Sequence, residues 1–253
     1  MRARKLFIAV LAAGCLAAEK KPAERKEEGP RQKVELTKTQ SMDFPAGGVL
    51  RLKNSTGDLN IEAWDNPNVE ITTIRSTKDE LPESERARAT AMLEKVTFTI
   101  ERMGNEVVIT TNFPRHQGFP PDLPFSRDRK FDVEYDISVP RSAMLAIDHD
   151  VGDVNVNGVT GDIEAKVLQG EIMLHLPEDA KYSIDAKSEY GNVNSDFPGE
   201  LRRSWISQKA LEDAPRPAHT LKLRIGYGDI VLLRIRVPKY PDAAPVRPGG
   251  SGL

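Results

Sequence analysis

The residues best suited to acid–base or metal chemistry near neutral pH are four histidines, His116, His149, His175 and His219, and they lie far apart in the chain. With neither a HExxH helix nor an HxH pair, a zinc site has no visible ligand set. His175 stands between Leu174 and Leu176, so alternation turns it away from their shared face and toward solvent. Carboxylates are so plentiful, 38 Asp plus Glu, that a pair suited to glycoside chemistry can be drawn anywhere and none stands out. Asp148, Asp150 and Asp153 are the one cluster with a specific possibility, because alternation places Asp148 and Asp150 on an outward side where oxygen ligands could gather for Ca²⁺. The Gly-Gly-x-Gly-x-Asp nonapeptide of calcium-binding β-rolls is missing, so solvated turn carboxylates are the expectation. The two tryptophans, Trp64 and Trp205, read as fillers of hydrophobic corners rather than sugar-stacking platforms. No phosphate-binding Gly loop or nucleophile elbow occurs, and the cluster Gly249-Gly250-Ser251-Gly252 lies in the tail. No catalytic residue, metal ligand or cofactor is therefore expected.

The elements that would position any site are strands. Val69 and Ile71, then Val96, Phe98 and Ile100, then Phe131, Val133, Tyr135, Ile137 and Val139 place apolar side chains on one face at period two. Gly104-Asn105 lies between two such runs and reads as a hairpin turn; Asp65-Asn66-Pro67-Asn68 reads as another turn. One segment departs from alternation: Pro82 to Lys95 opens on Pro, is rich in helix formers and carries Ala89, Met92, Leu93 and Val96 at helical spacing. It predicts one amphipathic helix packed on a sheet. Phe113 to Arg129 holds four prolines and reads as a long solvated loop, with docking of its Pro-rich stretch on a partner the lesser alternative.

A short unit recurs along this strand-rich body, a Gly followed by an acid or amide and then alternating apolar positions. It begins at Gly57, Gly152, Gly161, Gly170, Gly191 and Gly228. Gly152, Gly161 and Gly170 are nine residues apart, one short strand plus one turn, so two units make a flattened coil of 18. Each Gly is expected to turn a corner where a side chain would clash or φ must be positive. A single coil cannot bury its apolar face, since burying a Val or Ile contributes only about 1.5–3 kcal/mol, so the coils must stack. The fold class expected is all-β, a β-solenoid or β-helix-like stack of short strands with one inserted helix. The alternative is a β-sandwich whose turns merely share Gly-Asp.

The chain's beginning gives an address. Arg2, Arg4 and Lys5 precede Leu6 to Ala18, a thirteen-residue uncharged run too short to span a bilayer, which needs about 20 residues. Residues 1–18 are expected to be an export signal. The only cysteine, Cys15, ends the run Leu11-Ala12-Ala13-Gly14-Cys15, which resembles the lipobox of bacterial lipoproteins, although Ala12 stands where Leu is usual. Lipidation at Cys15, anchoring the chain to a membrane through more than one acyl chain, is the expectation; cleavage after Ala17 or Ala18 to a soluble periplasmic or secreted protein is the alternative. Residues 19–32 mix five basic and four acidic residues with two prolines and no apolar period, as a flexible tether does. The β-rich domain is then residues 33–237 and the tail 238–253 a disordered end. The formal net charge of −2, falling to −5 once residues 1–18 are removed, argues against nucleic acid as a partner.

The run from Phe131 to Val237 resembles the putative-adhesin domain family of bacterial envelope proteins. The resemblance is carried by Val139-Pro140, the successive Gly-Asp-Val units, Leu176-Pro177 and the late Gly226-Tyr227-Gly228-Asp229-Ile230, and it extends more weakly back to residue 45. It implies a β-helix-like domain exposed in the envelope, without a recognised catalytic set, and it carries over no ligand residues. The resulting expectation is a non-enzymatic envelope protein presenting a rigid surface for adhesion to an unidentified polymer or protein, with outward residues such as Asp153, Asn155, Asp162, Glu164 and Lys166 on that surface. A carbohydrate-active enzyme on a β-helix, or a structural or sensory partner of another envelope protein, are the alternatives.

Overall fold

The computed structural model describes residues 30–113, 131–203, 208–212 and 219–236. In chain order the elements are β1 (Glu35–Asp43), β2 (Val49–Thr56), β3 (Asp58–Trp64), β4 (Asn68–Thr77), α1 (Glu83–Leu93), β5 (Thr97–Met103), β6 (Glu106–Asn112), β7 (Phe131–Pro140) and β8 (Met144–Val151). They continue as β9 (Val154–Asn157), β10 (Ile163–Gln169), β11 (Ile172–Pro177), β12 (Tyr182–Tyr190), β13 (Val193–Ser195), β14 (Glu200–Arg203), β15 (Gln208–Glu212), β16 (His219–Tyr227) and β17 (Ile230–Ile235).

Two sheets run through the molecule, one ordered β1-β4-β7-β3-β9-β11-β17-β13 and the other β14-β15-β12-β16-β10-β8-β2-β6-β5. The strand pairs β2/β3, β8/β9, β10/β11, β12/β13 and β16/β17 each pass from one sheet to the other, so each is one flattened rung with a strand in either sheet. Rungs pair in parallel and in register. Leu145 lies beside Ile163 and Val154 beside Ile172, so the repeat is the eighteen residues expected from Gly152 to Gly170. Parallel rung-to-rung pairing is what a solenoid requires and what a sandwich of hairpins lacks. The fold is thus β-solenoid-like.

The order of rungs in space differs from their order in sequence. It runs β6/β7, β2/β3, β8/β9, β10/β11, β16/β17, β12/β13. The last rung of the chain is therefore inserted between two earlier ones, paired in parallel with β10 and β12 in one sheet and with β11 and β13 in the other. Antiparallel strands close the stack: β5 on β6 and β4 then β1 on β7 at one end, β15 then β14 on β12 at the other. Such added strands shield the rung edges that would otherwise template pairing with another chain.

The core is the slot between the sheets. Leu50, Leu52, Leu145, Ile147, Ile163, Ala165, Leu221, Leu223, Ile184 and Ala186 on one side face Leu59, Ile61, Val154, Val156, Ile172, Leu174, Ile230 and Leu232 on the other, each at most 3 % exposed. Helix α1 begins after Pro82, as the sequence predicts, but its apolar contact is limited to Ala89, Leu93 and half-buried Met92. It is a plug on β1 and β4 held at its C-terminal end rather than an amphipathic helix with a buried stripe along its length. Gln32, assigned to the tether by its composition, instead bridges Leu81 through two backbone hydrogen bonds. The turn at 65–68 is present, yet β3 and β4 do not pair, because β7 lies between them. The expected export signal with Cys15, most of the expected tether, the Pro-rich segment after Phe113 and residues 238–253 lie outside the described residues.

Candidate functional site

The corners set where each strand passes from one sheet to the other and so the spacing of the rungs. Gly57, Gly152, Gly170, Gly228 and Gly191 stack in one ladder along the edge where the chain passes from one sheet to the other. A Cβ built on Gly152 would lie 2.1 Å from the carbonyl oxygen of Gly57, on Gly170 1.9 Å from that of Gly152, and on Gly191 2.0 Å from that of Gly228. Real Cβ atoms do not approach that closely, so each rung rests backbone on backbone. Gly170 also has φ +146, a conformation other residues rarely adopt. Gly161 is elsewhere: it turns the opposite corner, its φ is not in the left-handed region, and its Cβ would meet the carbonyl oxygen of Ala143 at 2.1 Å. Of the two grounds on which glycine is expected at a corner, Gly161 meets close approach alone.

The acid after three of these glycines, Gly152, Gly161 and Gly228, also has a structural use. The Asp153 carboxylate accepts the Glu171 backbone N–H of the next rung at 3.0 Å, and Asp229 accepts that of Asn192 at 2.7 Å. At the opposite corner Asp162 accepts the Thr220 N–H at 2.8 Å. These carboxylates pair amides that the parallel ladder leaves over at a bend. Asp148 and Asp150 do point outward and are exposed, but Asp153 is turned to its own corner, and among the described residues no group of three or more His, Cys, Asp or Glu is placed to hold a metal ion.

Of the histidines, His175 is half-buried on an outer face and His219 lies 3.9 Å from Asp162. His149 is the exception to the expectation that none is special. It points inward at the corner, 1 % exposed, and its Nδ1 is 2.8 Å from the Ser55 hydroxyl, itself 1 % exposed. Burial lowers its pKa from 6.5 to about 4, against the opposing effect of backbone hydrogen bonds at Gly57, Val151 and Gly152. The imidazole is neutral at physiological pH. Ser55 and His149 thus form a hydroxyl–imidazole pair enclosed in the core. Trp64 donates its indole N–H to the Asn68 carbonyl at 2.9 Å, tying down the turn after β3; Trp205 lies outside the described residues.

The outer faces of the two sheets differ. On the eight-stranded sheet Asn60 donates to Glu134 at 3.2 Å and Asp136 at 3.0 Å, and Asn155 donates to Asn60 at 3.3 Å, a polar ladder across three rungs. Burial, then the neighbouring charges of Asp136, Asp58 and Glu35, raises the Glu134 pKa. On the nine-stranded sheet, cross-strand registry aligns Asp148, Lys166, Arg224 and Lys187 in one row. Like charges on neighbouring strands repel, and each cation is tied to an acid: Lys166 and Lys222 to Glu164 at 3.3 and 3.4 Å, Arg224 to Asp185 at 2.5 Å, Lys187 to Glu189 at 2.6 Å. Partial burial raises the Glu164 pKa, but the two lysines outweigh it and hold the carboxyl below its usual range. The row borders an open depression of about 430 Å³ whose lining includes Asp148, Asp150, Lys187, Glu189, Arg224 and Gly226.

Next in the chain after Glu189 and Gly226, two residues of that lining, stand Tyr190 and Tyr227, 52 % and 46 % exposed, with rings parallel to within 7° and centroids 4.8 Å apart. Sequence reasoning missed them. The available signal was the shared Tyr-Gly-Asn and Tyr-Gly-Asp at 190–192 and 227–229: the same rung position, immediately before a corner Gly, holds an aromatic twice.

Stacked parallel rungs, a glycine ladder at the corner and two outer sheet faces define a β-solenoid-like domain. The chain belongs to the Toastrack DUF4097 family, whose model matches residues 33–233. Among solved structures it is similar to a putative cell adhesion protein from Clostridium sporogenes, at 13% identity and a TM-score of 0.47, covering 80% of this chain and 100% of that one. It is also similar to a putative adhesin from Bacteroides fragilis, at 7% identity and a TM-score of 0.26, covering 78% and 97% of the two chains. A putative adhesin from Parabacteroides merdae follows at 13% identity and a TM-score of 0.26, covering 63% and 67%. Comparison with curated proteins gives no match.

Proposed function

We propose that this chain is an exported, non-enzymatic protein of the bacterial cell envelope, held to a membrane by a lipid on Cys15, which binds an envelope ligand on the outer faces of its solenoid. The observation that carries the binding role is the arrangement of outward side chains. Strand registry repeats them in rows at about 4.8 Å spacing, on a scaffold whose corners rest backbone against backbone. Such rows suit many weak polar contacts with an extended partner, whose sum exceeds any one of them. The absence of turnover is supported by the enclosure of the Ser55–His149 pair. The address rests on the basic, apolar and small-residue pattern of residues 1–18.

The test is a pull-down with the purified full chain against insoluble envelope material, followed by assay of the supernatant for released reducing ends. Retention without release supports the reading. No retention, or steady release of reducing ends, overturns it, the latter in favour of a carbohydrate-active enzyme.

A further inference from the structure

We infer that the corner of the nine-stranded sheet at Tyr190 and Tyr227 is a binding site for a neutral carbohydrate chain, the tyrosine rings taking the apolar face of a sugar and the adjoining charged pairs its hydroxyls. This rests on the proposed binding role and names the ligand class.

Three observations converge. First, the two rings are large apolar surfaces left about half exposed, and their mutual stacking holds them in one orientation. Tyr190 and Tyr227 are register partners on β12 and β16, one residue before Gly191 and Gly228 and one after Glu189 and Gly226 of the depression's lining, so the corner sets the two side chains next to each other. A rigid aromatic pair with polar hydroxyl tips is suited to a ligand that has both an apolar face and hydrogen-bonding groups.

Second, the depression beside them is open and mixes charged side chains with the apolar Val167, Leu168 and Ile225, and at Gly226 a side chain is excluded, since a Cβ would lie 2.7 Å from the Leu168 carbonyl oxygen. The charged side chains among its lining are planar carboxylates, a guanidinium and ammonium groups, which offer acceptors and donors side by side in the way hydroxyl groups require.

Third, the charges select among ligands. The cations Lys166, Lys222, Arg224 and Lys187 are held by Glu164, Asp185 and Glu189, with Asp148 and Asp150 also present. A polyanion would meet at least as many carboxylates as cations and would have to break these pairs. An uncharged polyol accepts from the cations and donates to the carboxylates without displacing either. A protein partner is disfavoured as well, because the centre of a protein interface is depleted of charged side chains, whereas the depression next to the aromatic pair is lined by Asp148, Asp150, Lys166, Lys187, Glu189 and Arg224.

The test is affinity electrophoresis of the purified full chain through gels containing dextran, mannan, galactan or mixed-linkage glucan, with alginate and hyaluronan as anionic counterparts. The expected result is retardation by at least one neutral polysaccharide and by neither anionic one. Tyr190→Ala with Tyr227→Ala should weaken it at least tenfold, which is about 1.4 kcal/mol. The Tyr190→Phe, Tyr227→Phe pair, which keeps the stack, should stay within threefold of the parent. Because both side chains are exposed, melting temperatures of all variants should match the parent within about 2 °C; if the alanine pair unfolds, the single Tyr190→Leu variant is read in its place. Retardation by alginate or hyaluronan alone, or equal retardation of the alanine pair and the parent, overturns the inference. Binding to envelope material with no retardation by any neutral polysaccharide overturns it while leaving the proposed binding role standing. Failure to bind envelope material at all removes both.

Discussion

Substituting alanine at three glycines separates the two reasons a corner can require Gly. At Gly170 both act: φ is +146 and the new Cβ would sit 1.9 Å from the Gly152 carbonyl oxygen. To reach even 3.0 Å the neighbouring corners must part by about 1 Å, which carries the Gly152 N–H to Gln169 carbonyl bond, now 3.0 Å, and the Val154 N–H to Glu171 carbonyl bond, now 2.8 Å, beyond useful length. Losing two such bonds costs about 1 kcal/mol each, and the backbone strain a further 1–3 kcal/mol, giving about 3–5 kcal/mol in all. For a domain of this size that is a fall in Tm of roughly 6–20 °C, at about 2–4 °C per kcal/mol. Gly161→Ala meets close approach without positive φ, since its Cβ lies 2.1 Å from the Ala143 carbonyl oxygen, and should fall in between at about 2–3 kcal/mol. Gly104→Ala meets positive φ alone, +66 with nothing within 4 Å, and should cost about 1 kcal/mol. Urea melts at constant m-value give the three numbers. If Gly170→Ala were no worse than Gly104→Ala, the rungs would not rest on one another at this ladder, and the argument for a stiff corner would fail.

Three further outcomes follow from the same structure. His149 is neutral when folded, with its pKa lowered to about 4 from 6.5, so between those values the unfolded chain binds a proton that the folded chain refuses. Stability present above pH 6.5 should therefore fall as pH drops toward 4, by about 3 kcal/mol at 1.36 kcal/mol per unit, and His149→Val should remove that part of the pH dependence in parallel urea melts; an unchanged profile would mean that the imidazole is not enclosed. Deleting residues 219–253 removes the rung between β10/β11 and β12/β13, so the chain should lose its cooperative melt rather than become slightly less stable, as circular dichroism would record. Cys15→Ser should move the protein from the membrane to the soluble fraction, and a protein still sedimenting with membranes would contradict lipid anchoring at that residue.

What could be read in the sequence was whatever repeats locally. The nine-residue spacing of Gly152, Gly161 and Gly170 marks contiguous rungs, and alternation in Phe131–Val139 marks inward faces that are buried in the structure. The insertion of β16/β17 between earlier rungs left no such trace, because it is decided by pairing between strands far apart in the chain: Tyr182 lies beside His219 and Ile163 beside Leu221. The same long-range registry creates the aromatic pair, since Tyr190 and Tyr227 become neighbours only when β12 and β16 do. Asp153 and Asp229 were legible as turn residues, but their acceptance of the next rung's amide depends on a partner that local reading does not supply. His149 occupies an inward position where alternation calls for an apolar residue, and only the opposing Ser55 explains how it is accommodated. The helix was located by Pro82 and its composition, whereas its shallow contact through Ala89 and Leu93 follows from where β1 and β4 end the stack.

The central claim, that this solenoid binds an envelope ligand on its outer faces and leaves it chemically unchanged, is tested most directly by an equilibrium isotherm of the full chain on isolated envelope material, repeated after prolonged incubation. The account predicts saturable binding whose capacity is the same at both times, with no soluble fragment appearing. A capacity that declines as fragments accumulate, or an isotherm indistinguishable from that of an unrelated protein of similar charge, would contradict it.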